Sequence, residues 1–492
     1  MLERINALHD VDVLVLGGGV NGACLYDSLC RQGYRVLLAD KHDFASGTSQ
    51  ASGMMIWGGL LYLRNLDLAN VFKLSLDRDR LIDEKPDWVK PEMMHYLPHT
   101  GRGRAKWWVQ SGLWLYWLMG LGRRRTPTWN TAFNERDLLK PGLTAGALCY
   151  EEAAVLQSDA RFVLAWLVAA RQSGQIAMNY CDVAGEFNAR DRRWHVHLTD
   201  TIGRRQQRLR ARLIVNCTGV WADKTNAEFA IESNFRHVFS KGVYLGLPRS
   251  PAHLSPLFFD LGEHADVISL LPWGPISLWG PTETAMSDLA DGAHASTADV
   301  DFLLAHYARR FQIRVTRADI ISLRCGIRPL VVDKHYRGQH YPLDLSRREE
   351  VVPDATKPWV SCYGGKLTGC RRMAARAMVE IAKRVSPSGE IHRPTNAPQR
   401  AVAWRHFPGL TVPVPTVAST VAFEYCTSLA DYLRRRTNIA QWVAHGGFGR
   451  NDCNATILQN IATEIAEGDA TVAARMVADY REQVMSELEF LG

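Results

Sequence analysis

Between residues 11 and 40 the chain turns apolar, then glycine-rich, then amphipathic, then apolar again. Val11-Asp12-Val13-Leu14-Val15-Leu16 reads as a buried strand and the run to Gln32 as a helix. Tyr34-Arg35-Val36-Leu37-Leu38-Ala39 reads as a second strand, ending on Asp40. Gly17, Gly19 and Gly22 carry the G-x-G-x-x-G spacing, with Val20 and Asn21 inside it. Gly17 permits a tight turn, Gly19 lets a pyrophosphate approach the backbone, and Gly22 lets helix pack close on strand. Unpaired N–H groups at the helix start add a partial positive charge for phosphates. An acid about 20 residues on, here Asp40, is where such a unit bonds a ribose hydroxyl. Strand, turn, helix, strand and acid together predict a dinucleotide site.

The pattern then changes several times. A hydroxyl-rich loop, Ser46-Gly47-Thr48-Ser49-Gln50-Ala51-Ser52-Gly53, precedes an apolar run from Met54 to Leu63 that includes Trp57, Gly58, Gly59, Leu61 and Tyr62. From Arg102 to Arg125 an aromatic, apolar stretch is bracketed by Arg102, Arg104 and Lys106 on one side and Arg123, Arg124 and Arg125 on the other. Such a helix suits a lipid headgroup boundary, or a buried helix whose arginines mark solvated ends. A helix is predicted to Arg171, an alternating strand at Trp194 to Leu198, and a buried strand from Ala211 that runs into the Thr218-Gly219 turn. Short strands separated by prolines and glycines between Lys241 and Arg310 predict an antiparallel sheet laid over the cofactor. After Trp359 a strand, the Gly364-Gly365 turn and a helix from Arg371 to Val385 lead back toward the first unit. Prolines at 387, 394, 398, 408, 413 and 415 mark a linker, and Val421 to Tyr480 reads as helices. Within them Arg434, Arg435 and Arg436 read as a solvated, charged helix face.

Composition narrows this picture. A chain of 492 residues with 47% hydrophobic and 22% charged content holds two or three domains with large cores. We expect one unit over residues 1–385, with the substrate sheet inserted at about 236–320, and a helical unit over 386–492. A net charge of +7 with no basic cluster of the right kind gives no nucleic-acid motif. Ten cysteines without a C-x-x-C pair argue against a zinc or other metal site and fit a reducing cytosol. No apolar run reaches the roughly 18 residues that span a bilayer, and residues 1–10 do not read as a signal peptide.

The motifs resemble, in order, those of the FAD-dependent glycerol-3-phosphate dehydrogenases within the glycine and D-amino-acid oxidase group. That family has the pattern T-S-x-A-S-S-K-L-I-H-G-G-L-R-Y-L, which Thr48, Ser49, Ala51, Ser52, Ile56, Gly58, Gly59, Leu60, Tyr62 and Leu63 match. Gly326-Ile327-Arg328-Pro329-Leu330 is similar to its G-V-R-P-L, and Gly364-Gly365-Lys366-Leu367-Thr368 to its G-G-K-L-T. The resemblance covers residues 10 to 440. It implies an α/β fold: a Rossmann-type FAD-binding domain, an antiparallel-sheet substrate domain and a C-terminal helical domain. It implies FAD as cofactor, held by Gly17, Gly19, Val20, Asn21, Gly22, Asp40, Thr48, Ser49, Ser52, Gly58, Gly59, Thr218, Gly219, Gly365, Lys366, Leu367 and Thr368. It also implies a small-molecule substrate, a membrane surface at the inner face with a quinone acceptor, and a homodimer as partners to test.

The substrate motifs depart from the family. The K-L-I-H-G-G lysine and histidine give way to Met54 or Met55 and Trp57, and the arginine of G-G-L-R-Y-L to Leu61. Tyr244 stands where the family has the histidine of K-G-S-H, and its G-T-T-D becomes Gly280-Pro281-Thr282-Glu283. Leucine has no counterpart to arginine's paired donors, so the pocket argues against glycerol 3-phosphate while the scaffold predicts flavin chemistry. Arg328, Lys366, Tyr244 and Tyr62 remain as catalytic candidates. The expected reaction passes hydride from a hydroxyl- or amine-bearing carbon to flavin N5. The alternatives are a glycine or amino-acid oxidase-like enzyme, an FAD-dependent lyase on an amino-acid-like adduct, and a relative that only binds flavin.

Overall fold

The computed structural model describes residues 9–98, 106–171, 174–261, 267–286, 289, 293–338, 348–390 and 402–491. Strand β1 (Asp10–Leu16), helix α1 (Val20–Arg31) and strand β2 (Val36–Ala39) form the nucleus of an eight-stranded sheet. β1 runs parallel to β2 on one side and to Gln206–Asn216 on the other, and that strand runs parallel to Trp359–Gly364. Both faces are covered, as a parallel sheet requires. Val13 and Val15 pack with α1, with α4 (Asp159–Arg171) and with the helix Cys370–Ala382, whereas Leu14 and Leu16 join the core around Trp194 and Trp359.

The second sheet has ten strands. Its spine is the antiparallel pair Phe235–Pro248 and Ser322–Asp333, in register from Phe235 opposite Asp333 to Gly246 opposite Ser322. The strands at Val267–Trp273 and Ile276–Gly280 sit where the alternation placed them. The sheet also takes in β3 (Met55–Ile56), β4 (Val89–Leu97) and Ala147–Val155, earlier in the chain than the stretch expected to build it, and β4 runs parallel to Leu257–Asp260. Met55–Ile56 has only two residues, and along Val89–Leu97 and Ala147–Val155 buried and exposed positions do not alternate, so none of the three leaves a period-2 signal, which is why these were missed.

Two expectations need correction. Helix α3 (Lys106–Met119) buries Leu113 and Tyr116 and exposes Trp107, Trp108, Trp114 and Leu118, so it is not a buried helix with wet ends. Its flanking arginines do not form a uniform basic rim either: Arg123 and Arg125 are exposed, while Arg124 turns inward and is 5% exposed. Arg102 and Arg104 lie outside the described residues. No helix among the described residues is long and apolar enough to cross a membrane.

The second correction concerns Arg434, Arg435 and Arg436, which are not a solvated face. They lie on a π-helical turn, Asp431–Arg436, in the C-terminal helical core. Arg435 and Arg436 are buried and both reach Asp43, in the loop after β2; Arg436 Nη2 donates to Asp43 Oδ1 at 2.8 Å. A buried carboxylate needs such partners, and the widened π turn aims two successive arginines at one acid.

Candidate active site

The first glycine turn closes on the end of the neighbouring strand. Gly17 has φ +96°, and a Cβ there would meet the Cys217 carbonyl oxygen at 2.6 Å; a Cβ on Gly22 would meet the Gly17 carbonyl oxygen at 1.9 Å. Both positions therefore require glycine, and the strand end at Thr218-Gly219 lies directly beside the turn. Gly19 caps α1, and the Ser49 hydroxyl sits at that helix start, accepting from the Val20 N–H at 3.0 Å. Asn21 reaches across to the third motif: its Nδ2 donates to the Gly364 carbonyl at 3.0 Å. A Cβ on Gly365, at φ +99°, would lie 2.8 Å from that amide nitrogen. The three separated motifs are thus joined at one place.

Asp40 is turned toward the glycine loop. Its Oδ2 accepts from the Gly18 N–H at 2.6 Å and its Oδ1 from the His42 N–H at 2.9 Å. Burial pushes the carboxyl up to about 6, against the pull of those two N–H groups. The acid expected to meet a ribose therefore also shapes the turn that meets the phosphates.

Two hydroxyls assigned to the cofactor are used within the protein. Thr48 Oγ1 donates to the Ile327 carbonyl at 2.7 Å. The Ser52 hydroxyl and N–H both donate to Asp159 Oδ2 at 2.8 Å, and Arg324 bonds the same carboxylate and the Ser52 carbonyl. They hold the 46–53 loop against the long strand pair. Thr218 is likewise engaged, donating to Asn216 Oδ1 at 2.7 Å. Gly58 is anchored from behind through both its N–H and its carbonyl, and Leu367 and Thr368 are buried just before the returning helix.

The catalytic candidates fall into two groups. Lys366, from the Gly364-Gly365 turn, donates to the Tyr62 hydroxyl, from the Gly58-Gly59 loop. Burial, assisted by the charge of Arg372, pulls its amine down to about 7. Tyr244 and Arg328 lie on the spine of the second sheet, on the side facing the 46–53 loop. Tyr244 is buried against Gly53, where a Cβ would stand 2.5 Å from its hydroxyl, and burial raises its phenol. Arg328 Nη1 donates to Glu283 Oε2 at 2.9 Å and lies 3.4 Å from the Ser240 hydroxyl. Asp43, Glu152 and Asp159 were missed from the sequence, and Glu283 was read only as a departure from the family's G-T-T-D, without its partner Arg328. A lone acid in a loop or strand carries no pattern until its partner is brought beside it. The side chain of Leu61 lies outside the described residues.

A model of the FAD dependent oxidoreductase family matches residues 12–347. D-erythritol 1-phosphate dehydrogenase of Brucella abortus is 30% identical over 372 residues, spanning 75% of this chain and 72% of that protein. Glycerol-3-phosphate dehydrogenase of Mycobacterium leprae is 32% identical over 389 residues, 77% of this chain but only 64% of that protein. The crystal structure of a glycerol-3-phosphate dehydrogenase from Bacillus halodurans, complexed with FAD, matches with a TM-score of 0.70 over 99% of this chain and 96% of that one. At 19% identity that likeness is one of fold. With the family match running from β1 to beyond the strand that carries Arg328, the chain belongs to the FAD-dependent oxidoreductase family and is an enzyme that works with FAD.

Proposed function

We propose that the chain oxidises a hydroxyl- or amine-bearing carbon of a small substrate other than glycerol 3-phosphate. The observation that carries this reading is the Arg328–Glu283 pair: the retained cation of the substrate wall already faces a carboxylate. A phosphate brought to that arginine meets a like charge, whereas a polyol finds donors and an acceptor side by side. The same pair favours a second reading. An amino-acid-like substrate would offer its carboxylate to Arg328 and its ammonium to Glu283. The alcohol reading draws on the names of the curated relatives, both polyol-phosphate dehydrogenases. Anaerobic bleaching of the flavin by polyols, their phosphates and amino acids tests both, and a protein bleached by none of them overturns both.

FAD would lie along Gly17 to Gly22, Thr218-Gly219 and the two loops at Gly58-Gly59 and Gly365 to Thr368; a Cβ on Gly219 would meet no atom within 4 Å and one on Gly19 only the Ser49 hydroxyl at 3.3 Å, so the backbone is open at those two points. When bound it supplies the two-electron acceptor for a hydride from the substrate carbon. The chain's own part is to orient that carbon and take the proton. Tyr244 and Arg328 orient the substrate's polar groups. The Lys366 amine accepts the hydroxyl or ammonium proton, with Tyr62 fixing its direction. An amine near 7 is largely free above that pH, so kcat/KM should rise with pH and level off beyond about 7. Lys366→Met should remove that limb and lower kcat by about 100- to 10,000-fold, the usual contribution of a positioned base. An unchanged pH profile in the variant would assign the proton to another group.

The exposed face of α3 supports the remaining part of the reading, docking on an anionic lipid surface with a quinone as acceptor. Trp107, Trp108, Trp114, Leu118 and Leu121 are exposed there, beside the exposed Lys106, Arg123 and Arg125. Each basic residue near such a surface contributes on the order of 1 kcal/mol, screened within a Debye length. The protein should sediment with anionic vesicles at low salt and release as salt rises, and Trp107→Ser with Trp108→Ser should weaken binding. No sedimentation at low salt would remove the lipid surface from the proposal.

A further inference from the structure

Behind the Gly58-Gly59 loop lies a closed cluster of charge that the proposed reaction does not use. Glu152, on Ala147–Val155, is fully buried. Its Oε2 accepts from the Gly58 N–H at 3.0 Å, and its Oε1 accepts from the Tyr116 hydroxyl of α3. Arg78 stands 3.5 Å from the carboxylate and donates to the Glu152 carbonyl at 2.8 Å and to Glu151 at 2.8 Å. Arg124 lies over the Tyr116 ring, 4.4 Å from its centre, and 3.8 Å from Asp79. The Gly58 carbonyl is fixed as well, accepting from the Ser75 hydroxyl at 3.2 Å. The space a side chain would need at Gly58 is filled: a Cβ would lie 2.1 Å from the Tyr116 oxygen and 2.9 Å from the Arg124 guanidinium. Both polar groups of this glycine are thereby held from one side, and the following residue, Gly59, takes φ +93°.

We propose that Glu152 is a positioning residue for the flavin, acting through Gly58: it fixes the peptide whose backbone and neighbouring glycine line the cofactor site. This rests on the reading that the Gly58-Gly59 loop lies against FAD. The argument is one of restraint. A loop of two glycines has more conformational freedom than any other dipeptide, so its path must be set by what it bonds. Here one buried carboxylate supplies the acceptor, and the packed Tyr116 and the Arg78 guanidinium hold that carboxylate in place. Burial raises the carboxyl of Glu152, while Arg124 and Arg78 pull it back toward the charged form. The cluster sets three acids, Asp79, Glu151 and Glu152, against Arg78, Arg124 and, at its edge, Arg125, and this balance of charge argues against its being a docking place for a substrate anion. Leaving the Gly58 N–H buried without an acceptor would free the loop to seek another partner.

The test compares Glu152→Gln with Glu152→Leu in the FAD-loaded enzyme. The amide oxygen of glutamine can still accept from Gly58 and its amide can meet Tyr116, so E152Q should keep the visible circular dichroism of the flavin and its dissociation constant within about twofold. E152L should alter the visible spectrum and raise the FAD dissociation constant tenfold or more. If E152L lowers only the melting temperature and leaves spectrum and affinity unchanged, the role is structural and the proposal falls. It falls equally if E152Q is as damaged as E152L, because charge rather than the acceptor would then be responsible. Should E152L not fold, Tyr116→Phe decides the matter. It removes the bond that restrains the carboxylate and should shift the flavin spectrum in the wild-type fold, and an unshifted spectrum overturns the proposal. Wild-type protein that binds no FAD would instead overturn the reading beneath it.

Discussion

Asp43→Asn should cost the folded protein about 3–5 kcal/mol, the range for breaking a buried ion pair by removing one partner. Asp43 is 1% exposed and Arg436 is fully buried, and Asn179 Nδ2 donates to the same carboxylate at 2.9 Å. Arg435 bonds both Asp43 and Asp431, the second at 2.8 Å, and Arg436 also donates to the carbonyls of Glu424 and Tyr425. Asparagine would leave two guanidiniums facing Asp431 alone, in a place where water does not compensate. Burial raises the carboxyl of Asp43, but Arg436 and Arg435 more than reverse this and hold it far below the ordinary carboxylate range. A carboxyl with a depressed native value stabilises the fold at every pH above its unfolded value, near 4, and loses that contribution as pH falls toward the native value. Acid unfolding of the wild type should therefore be steep below about pH 4, and the variant should show a shallower dependence, set by the other depressed carboxyls such as Asp12 and Asp299. The same loop carries Phe44, against which a Cβ on Gly18 would stand at 2.3 Å, so loss of the clamp should also loosen the cofactor. Equilibrium denaturation and FAD retention on gel filtration measure both effects. A denaturation midpoint equal to that of the wild type would show that the clamp is not a stabilising link.

The nucleotide-binding unit was legible because everything that specifies it is local. The apolar runs at Val11 to Leu16 and Val36 to Ala39, the required glycines and the helix between them form within 30 residues, and each has its own period or spacing. The long strand pair was half legible. Tyr244 and Arg328 stood out as polar survivors in apolar stretches, but Glu283 showed only as a departure from the family's G-T-T-D, and its pairing with Arg328 needs two segments brought together. The clamp was illegible in principle. Asp43 and Arg436 are 393 positions apart, and three successive arginines look alike whether they meet water or an acid. Arg124 makes the same point inside one triplet, buried between two exposed neighbours. The hydroxyls of Thr48 and Ser52 add a pairing that residue type alone does not give. Their residue types suited a cofactor, yet Ile327 and Asp159 take their hydrogen bonds. Periodicity reports which way a side chain points relative to its own element, whereas charge pairing depends on which elements meet.

Glycerol 3-phosphate should reduce the flavin poorly or not at all. Leu61 occupies the position at which the resembled family places its arginine, and the two arginines of the wall are both paired, Arg328 with Glu283 and Arg324 with Asp159. Losing a charged hydrogen-bonding partner costs roughly 2–5 kcal/mol, or about 30- to several-thousand-fold in affinity. The repulsion from Glu283 acts in the same direction, since like charges set side by side in an interface cost on the order of several kcal/mol. Glu283→Gln should thus tighten phosphate-ester binding while weakening any substrate that offers an ammonium to the carboxylate. Leu61→Arg combined with Glu283→Gln should recover more phosphate-ester turnover than either change alone, although Trp57 and Tyr244 remain unlike the family's pocket. Arg328→Ala should suppress turnover of the true substrate in either background, because its guanidinium lies in the same wall as Tyr244. The measurement is anaerobic flavin reduction, read as a rate against substrate concentration for each variant. Oxidation of glycerol 3-phosphate by the unmodified enzyme with a micromolar KM would overturn this account. A cation outside these motifs would then have to hold the phosphate, and Glu283 would have to be turned away from it.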